Sequence, residues 1–263
     1  MKCKVLFIGL LFFASYAYAY NNTYAVIVGV ADYQNLTPGN GDLMYTINDA
    51  RLFYEFLISK KGGSVPAENI VFLINSHASK ANIIAKGKKL FSRAGRNDRV
   101  IFFFSGHGSR GCFVPYDAGL SGENMLYFSE VKSIFRNARC DTKLLFADAC
   151  FAGSMKGIEI KDAQQIMEKE IKTSSKMNIA VMMSCRGNET SMELGDLRQG
   201  VFTYYLIKGL GGLANSDNNK FITIKELYYY VYQKTRAKAN SVGHVQTPEL
   251  FGNFDLRLIV ANM

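Results

Sequence analysis

Runs of β-branched and aromatic residues alternate along this chain with stretches whose apolar positions recur every three or four residues. The runs at 24–30, 69–74, 99–104, 142–147, 178–184 and 254–260 predict strands, since they are short, continuous and bounded by polar or glycine-containing turns. Between the first two, Asp49 to Lys60 places Leu52, Phe53, Phe56 and Leu57 on one helical face. Lys80 to Arg93, Ser129 to Asn137, Ile160 to Ile171, Phe202 to Gly209 and Ile224 to Lys238 predict further helices by the same spacing. Strands alternating with helices predict parallel βαβ units and an α/β fold. No internal repeat or low-complexity segment interrupts the pattern.

The first 19 residues stand apart. Lys2 and Lys4 precede the apolar core Val5 to Phe13, and Ala17-Tyr18-Ala19 supplies a small-x-small cleavage site, so 1–19 predicts a signal peptide and 20–263 the mature domain, secreted or periplasmic. The apolar stretch falls short of the ~20 residues of a membrane span. No stable span is expected after cleavage, and an uncleaved anchor is the alternative. Loss of Lys2 and Lys4 takes the formal net charge from +9 to +7. No nucleic-acid-binding motif or interleaved aromatic and basic pattern accompanies that charge, so it predicts solvated lysines and no nucleic-acid partner.

Two short strings carry the chemistry. Ser105-Gly106-His107-Gly108 follows one predicted strand and Asp148-Ala149-Cys150 another. In an open α/β sheet the carboxyl ends of the strands face one crevice, which brings an imidazole and a thiol together. A thiol needs a neighbouring base to become a thiolate, so Cys150 reads as nucleophile and His107 as base. The glycines flanking His107 allow a tight turn, and the Gly108 and Cys150 N–H groups suit an oxyanion hole. Either string alone would read as an ordinary turn or a buried cysteine; the pair changes that reading. Asp148 stands two residues before Cys150, on the same side of its strand, and suits the wall of a substrate pocket. Ser184 to Ser191 follows another strand and suits a substrate-binding edge, with Ser184 nearest the strand end. His77 and His244 read as surface residues, and Glu193 and Gln246 as loop hydrogen-bonding positions. No cysteine pair has C-x-x-C spacing, so no zinc site is expected and no cofactor is required. Of Cys112, Cys140, Cys150 and Cys185, an oxidising compartment allows a Cys112–Cys140 bond while Cys150 stays free.

On these strings the chain resembles the caspase and metacaspase group of cysteine peptidases, over nearly its whole length after residue 23. The pieces fall in the family's order: Tyr24 to Val30, Asn48-Asp49-Ala50, SGHG, DAC, Ser184 to Ser191, Gly200 to Leu206, and Gln246-Thr247-Pro248. They look most like bacterial metacaspase-like proteins. The resemblance implies a three-layer sandwich, a mostly parallel six-stranded sheet flanked by helices, and a His–Cys endopeptidase. It implies that Asp148, Asp49 and Ser105 bind an Arg or Lys side chain before the scissile bond, where a carboxylate pair attracts a guanidinium and repels an acid. Asp49 also suits a helix-capping role.

Departures from the family pattern matter as well. Phe151-Ala152-Gly153 stands where many metacaspases have His-Ser-Gly, leaving the dyad untouched but altering the far side of the cleft. The basic residues between 154 and 178 suit self-cleavage, as related enzymes undergo, and equally a solvated lysine face. Some metacaspases are activated by calcium, but no acidic cluster here carries that over: Asp117 is isolated, Gly157 stands where an acidic residue would be sought, and calcium dependence is open. Asp217-Asn218-Asn219-Lys220 reads as a polar turn, because an EF-hand would need other residues at Phe221 and Ile222 and a glutamate two positions beyond Glu226. Two alternatives stay open: a legumain-like or gingipain-like peptidase with another pocket preference, and a catalytically silent peptide-binding module.

Overall fold

The computed structural model describes residues 20–35, 42–109, 111–150 and 179–263, with Cys150 described in its backbone alone. The strands are β1 (Thr23–Gly29), β2 (Ile70–Ile74), β3 (Arg99–Ser109), β4 (Cys112–Phe113), β5 (Leu126–Tyr127), β6 (Thr142–Cys150), β7 (Ile179–Met183), β8 (Glu193–Leu194), β9 (Gln199–Gly200), β10 (Phe221–Thr223), β11 (Glu249–Gly252) and β12 (Ile259–Asn262). The α-helices are α1 (Thr46–Ile58), α2 (Lys80–Phe91), α3 (Phe128–Phe135), α4 (Val201–Lys208) and α5 (Ile224–Asn240). The predicted helix 160–171 lies outside the described residues. No helix among those described is long and apolar enough to cross a membrane.

The main sheet runs β11-β7-β6-β3-β1-β2, with β4 and β5 added beyond the end of β3. Five of its six strands are parallel, and β11 closes the edge antiparallel to β7. The central strands carry apolar side chains on both faces because helices cover both. On one face Phe102, Val100 and Leu145 pack with Ile83 and Phe91 of α2 and Ile134 and Phe135 of α3. On the other, Ile101, Phe103, Leu144 and Phe146 pack with Phe53 and Leu57 of α1, Phe202 and Leu206 of α4, and Leu227 of α5. Phe53 stacks on Phe103 with ring centroids 4.5 Å apart, fixing α1 across the centre of the sheet. This is the α/β fold the sequence pattern predicts, in the three-layer sandwich that the family resemblance implies.

Three expectations need correcting. The sixth strand of the sheet is Glu249–Gly252, not 254–260; the later run supplies β12, which pairs with β10 in a separate two-stranded sheet. β3 and β6 do not stop before their polar strings but run through them, because the two strands go on pairing as far as His107 and Cys150 and β4 then pairs β3 to Ser109. Finally, Cys112 and Cys140 are both free and buried rather than joined, and burial pushes each thiol up to about 11. The polar turn expected at 217–220 is observed, with the Asn219 side chain donating to Asp217 at 2.7 Å and accepting from the Phe221 N–H at 2.6 Å.

Candidate active site

β3 and β6 pair in parallel from Arg99 opposite Thr142 to His107 opposite Cys150. Two residues 43 apart in the chain therefore stand on adjacent strands, about 4.8 Å apart across the ladder, at the carboxyl edge of the sheet. Ser105 and Asp148 face each other two residues inward. Ser105 projects to the side that α1 covers, where it meets Asp49.

His107 is held from several directions. Its N–H donates to the Tyr33 hydroxyl at 2.7 Å and its carbonyl accepts from Val114 at 3.0 Å. The Tyr33 ring lies 5.0 Å from the imidazole at an interplanar angle of 31°. Gly106 is required by this approach, since a Cβ there would come within 2.9 Å of the Tyr33 hydroxyl and 3.1 Å of the Phe104 ring. Gly108 sits opposite Phe113, where β4 extends the sheet past the histidine.

Beside His107 opens a cavity of about 210 Å³ whose walls include Asp49, Ser105, Asp148, Ser191, Glu193 and Gly200. Asp49 comes from the first turn of α1. It caps nothing in its own helix: Oδ2 accepts from the Ser105 hydroxyl and Oδ1 from the Gly200 N–H, both at 2.9 Å. Asp148 accepts from the Thr203 N–H at 3.1 Å, from the Thr203 hydroxyl at 2.7 Å, and from the Ser191 hydroxyl. Gly200 lies between the two carboxylates, where a Cβ would meet both. Both aspartates are buried, and burial raises both above the ordinary carboxylate range, Asp49 the further because the Asp148 charge adds to it.

Further polar side chains hold these walls. Gln246 donates to the Ser184 carbonyl and to the Ser191 hydroxyl, both at 3.1 Å, and accepts from the Met192 N–H at 3.1 Å. Glu193 accepts from the Met44 and Tyr45 N–H groups at 3.0 and 2.8 Å, fastening the start of α1 to the β8–β9 hairpin. The loop hydrogen-bonding roles expected of both residues are thus observed, and Glu193 also reaches the cavity wall. Ser184 departs from expectation. It is fully buried and does not line the cavity; its hydroxyl donates to the Ala149 carbonyl at 3.3 Å and accepts from the Ala149 N–H at 3.2 Å, bracing the end of β6. His77 is exposed, whereas His244 donates to the Thr190 carbonyl at 2.9 Å, at the cavity rim.

The structure thus gathers His107, Asp49, Ser105 and Asp148 around one cavity, with the Cys150 backbone alongside. Sequence reasoning missed Tyr33, Thr203 and the wall position of Glu193. Thr203 lay within a quoted block, three residues after a glycine that starts a helix, but nothing in the spacing of Tyr33 pointed to His107. Among the described residues no three His, Cys, Asp or Glu side chains group to hold a metal ion.

A family model described as "Caspase domain" matches residues 22–255. A probable protease from a Desulfuromonadales bacterium is 23% identical over 259 residues, which cover 86% of this chain and 31% of that protein. The chain therefore spans about a third of the length of that curated relative. The crystal structure of a Geobacter sulfurreducens protein superposes with a TM-score of 0.59 at 16% identity, covering 92% of this chain and 98% of the other.

Proposed function

The chain belongs to the caspase domain family of peptidases, and on that premise we propose that it is a cysteine endopeptidase cutting peptide bonds after Arg or Lys. The observation that carries this reading is the pair of buried carboxylates, Asp49 and Asp148, in the wall of the cavity that His107 borders.

In this mechanism the basic side chain of the substrate enters the cavity that Asp49 and Asp148 line, which places the following carbonyl over the carboxyl edge of β3 and β6. The His107 imidazole takes the proton of the Cys150 thiol, and the thiolate attacks the carbonyl carbon. The Gly108 and Cys150 N–H groups receive the developing oxyanion. His107 then protonates the departing amine, and a water molecule, deprotonated by the same imidazole, releases the acyl group as a carboxylic acid. Asp49 and Asp148 take no part in bond-making. Their work is selection, because a buried carboxylate pair favours a guanidinium or ammonium and excludes an acid. Ser105 orients Asp49, Ser184 braces β6 beneath the nucleophile, and no metal enters any step. Export through 1–19 and self-cleavage within 154–178 belong to the same proposal; both segments lie outside the described residues.

The test is hydrolysis of matched fluorogenic peptides ending in Arg, Lys or Asp by the wild type, Cys150→Ala and Asp148→Ala. Cleavage after Arg or Lys should vanish in the first variant and lose its basic preference in the second. Cleavage after Asp by the wild type would overturn the pocket assignment, and turnover by Cys150→Ala would overturn the nucleophile.

A further inference from the structure

At the opposite edge of the sheet lies a larger cavity, of about 320 Å³, that the proposed peptidase chemistry does not use. Arg99, the first residue of β3, forms part of its wall and is only 3% exposed. It stands eight residues before His107 on the same strand, some 26 Å away at the ~3.3 Å rise of a parallel strand. The guanidinium donates from Nε and Nη2 to the Thr23 hydroxyl at 3.2 and 2.9 Å and from Nη1 to the Val260 carbonyl, while Tyr20 stacks on it 3.8 Å away. All these partners are neutral. Arg99 forms no ion pair with any described carboxylate.

A buried arginine without a counter-charge is unfavourable, since desolvation removes what water gave and neutral acceptors return only part of it. The surroundings deepen the imbalance. Lys60 and Lys61, on the short 3-10 turn after α1, also line this cavity and likewise form no ion pair with a described carboxylate. Three basic residues thus line this cavity and, among the described residues, no Asp or Glu does. The rest of the lining mixes apolar side chains, among them Phe56, Ile101, Leu144, Phe146 and Leu210, with the polar Asn21, Ser64 and Asn262. The volume falls within the range of small-molecule sites.

We propose that this cavity is a second ligand site, taking an organic carboxylate whose apolar body fills the space and whose anionic head pairs with Arg99 between Lys60 and Lys61. Arg99 presents five N–H donors in a planar fork, of which the protein uses three, leaving two for a carboxylate. The apolar wall selects against a bare inorganic anion, and the cations select against an uncharged molecule of the same shape.

Calorimetric titration of the purified protein with 3-phenylpropionate, its primary amide and inorganic phosphate tests this. The acid should bind at one saturable site at least about tenfold more tightly than either of the others. Arg99→Gln should weaken the acid by about tenfold or more. Because that variant also disrupts the bonds to Thr23 and Val260, the exposed pair Lys60→Glu/Lys61→Glu serves as a second variant that spares the core, and it should weaken the acid several-fold with an unchanged melting temperature. Equal binding of acid and amide, binding of phosphate as tight as that of the acid, absence of binding, or affinity unmoved in the lysine variant would each overturn the proposal. Since none of these readouts involves peptide cleavage, they stand apart from a failure of the peptidase reading.

Discussion

Replacing Gly200 by alanine puts one methyl group between the two carboxylates that define the pocket. The new Cβ would lie 2.2 Å from Asp148 Oδ2, 2.9 Å from its carboxyl carbon and 3.0 Å from Asp49 Oδ2, whereas ordinary contact starts near 3.4 Å. Gly200 has φ −62° and ψ 136°, which alanine adopts freely, so the effect is steric and owes nothing to backbone strain. Asp148 must retreat by about 1 Å, beyond the reach of the hydrogen bonds from Thr203. Overpacking costs about 1–3 kcal/mol, and each hydrogen bond to a charged group contributes about 1.5–3 kcal/mol. With partial relaxation the loss should total about 2–4 kcal/mol, or roughly 5–15 °C in the midpoint for a domain of this size. Thermal unfolding reads that loss. In parallel, kcat/KM for an Arg peptide should fall about 30-fold or more, while alkylation of Cys150 by iodoacetamide keeps its rate. Gly195→Ala, in the turn of the same hairpin, is the control, because its Cβ would meet only the Tyr45 hydroxyl at 3.5 Å. A Gly200→Ala protein with an unchanged melting temperature and intact preference for Arg would refute the account of a rigid carboxylate pair.

Other tests probe the remaining walls. Asp49 and Asp148 are raised by burial in the folded protein, so above pH 3.8 the native state binds more protons than the unfolded chain, and stability should fall as pH rises through the raised values. Urea unfolding across a pH series should show that decline in the wild type and a shallower one in Asp49→Asn. Over the same window KM for an Arg peptide should fall with rising pH in the wild type, since the carboxylate form binds the cation. Tyr33→Phe leaves the His107 N–H without its 2.7 Å partner and should lower kcat about tenfold, as expected from roughly 1–2 kcal/mol of lost positioning; a wild-type kcat would remove Tyr33 from the account. Gln246→Ala deletes three hydrogen bonds to Ser184, Met192 and Ser191, which should cost about 2–3 kcal/mol in denaturant titration and blunt the discrimination between Arg and Asp peptides.

The strings around His107 and Cys150 were legible because each follows an apolar run long enough to be a buried strand, and a parallel sheet places such ends together. The extent of those strands was not, since Ser105 to Ser109 reads as a polar turn until β6 and β4 are there to pair with it. The sixth strand failed for a related reason. Two short apolar runs, 249–252 and 254–260, compete for one sheet edge, and only the hydrogen bonds to β7 decide between them. Tyr33 and Glu193 were invisible as site residues because their roles are contacts across 74 and about 148 residues of chain. Asp49 was found through its three-residue string, yet the partners that turn it from a helix cap into a pocket wall, Ser105 and Gly200, lie on other elements.

The carboxylate pocket is closed by bonds that join distant stretches of chain: Asp49 to Gly200, 151 residues away, and Asp148 to Thr203, 55 away. During synthesis the ribosome releases His107 and Cys150 long before it releases the hairpin and helix that complete the pocket. A nascent chain that has emerged only to residue 190 carries Asp49 and Asp148 without the Gly200 and Thr203 partners that hold them. Closure of the pocket therefore waits until the last third of the chain has been made and docked.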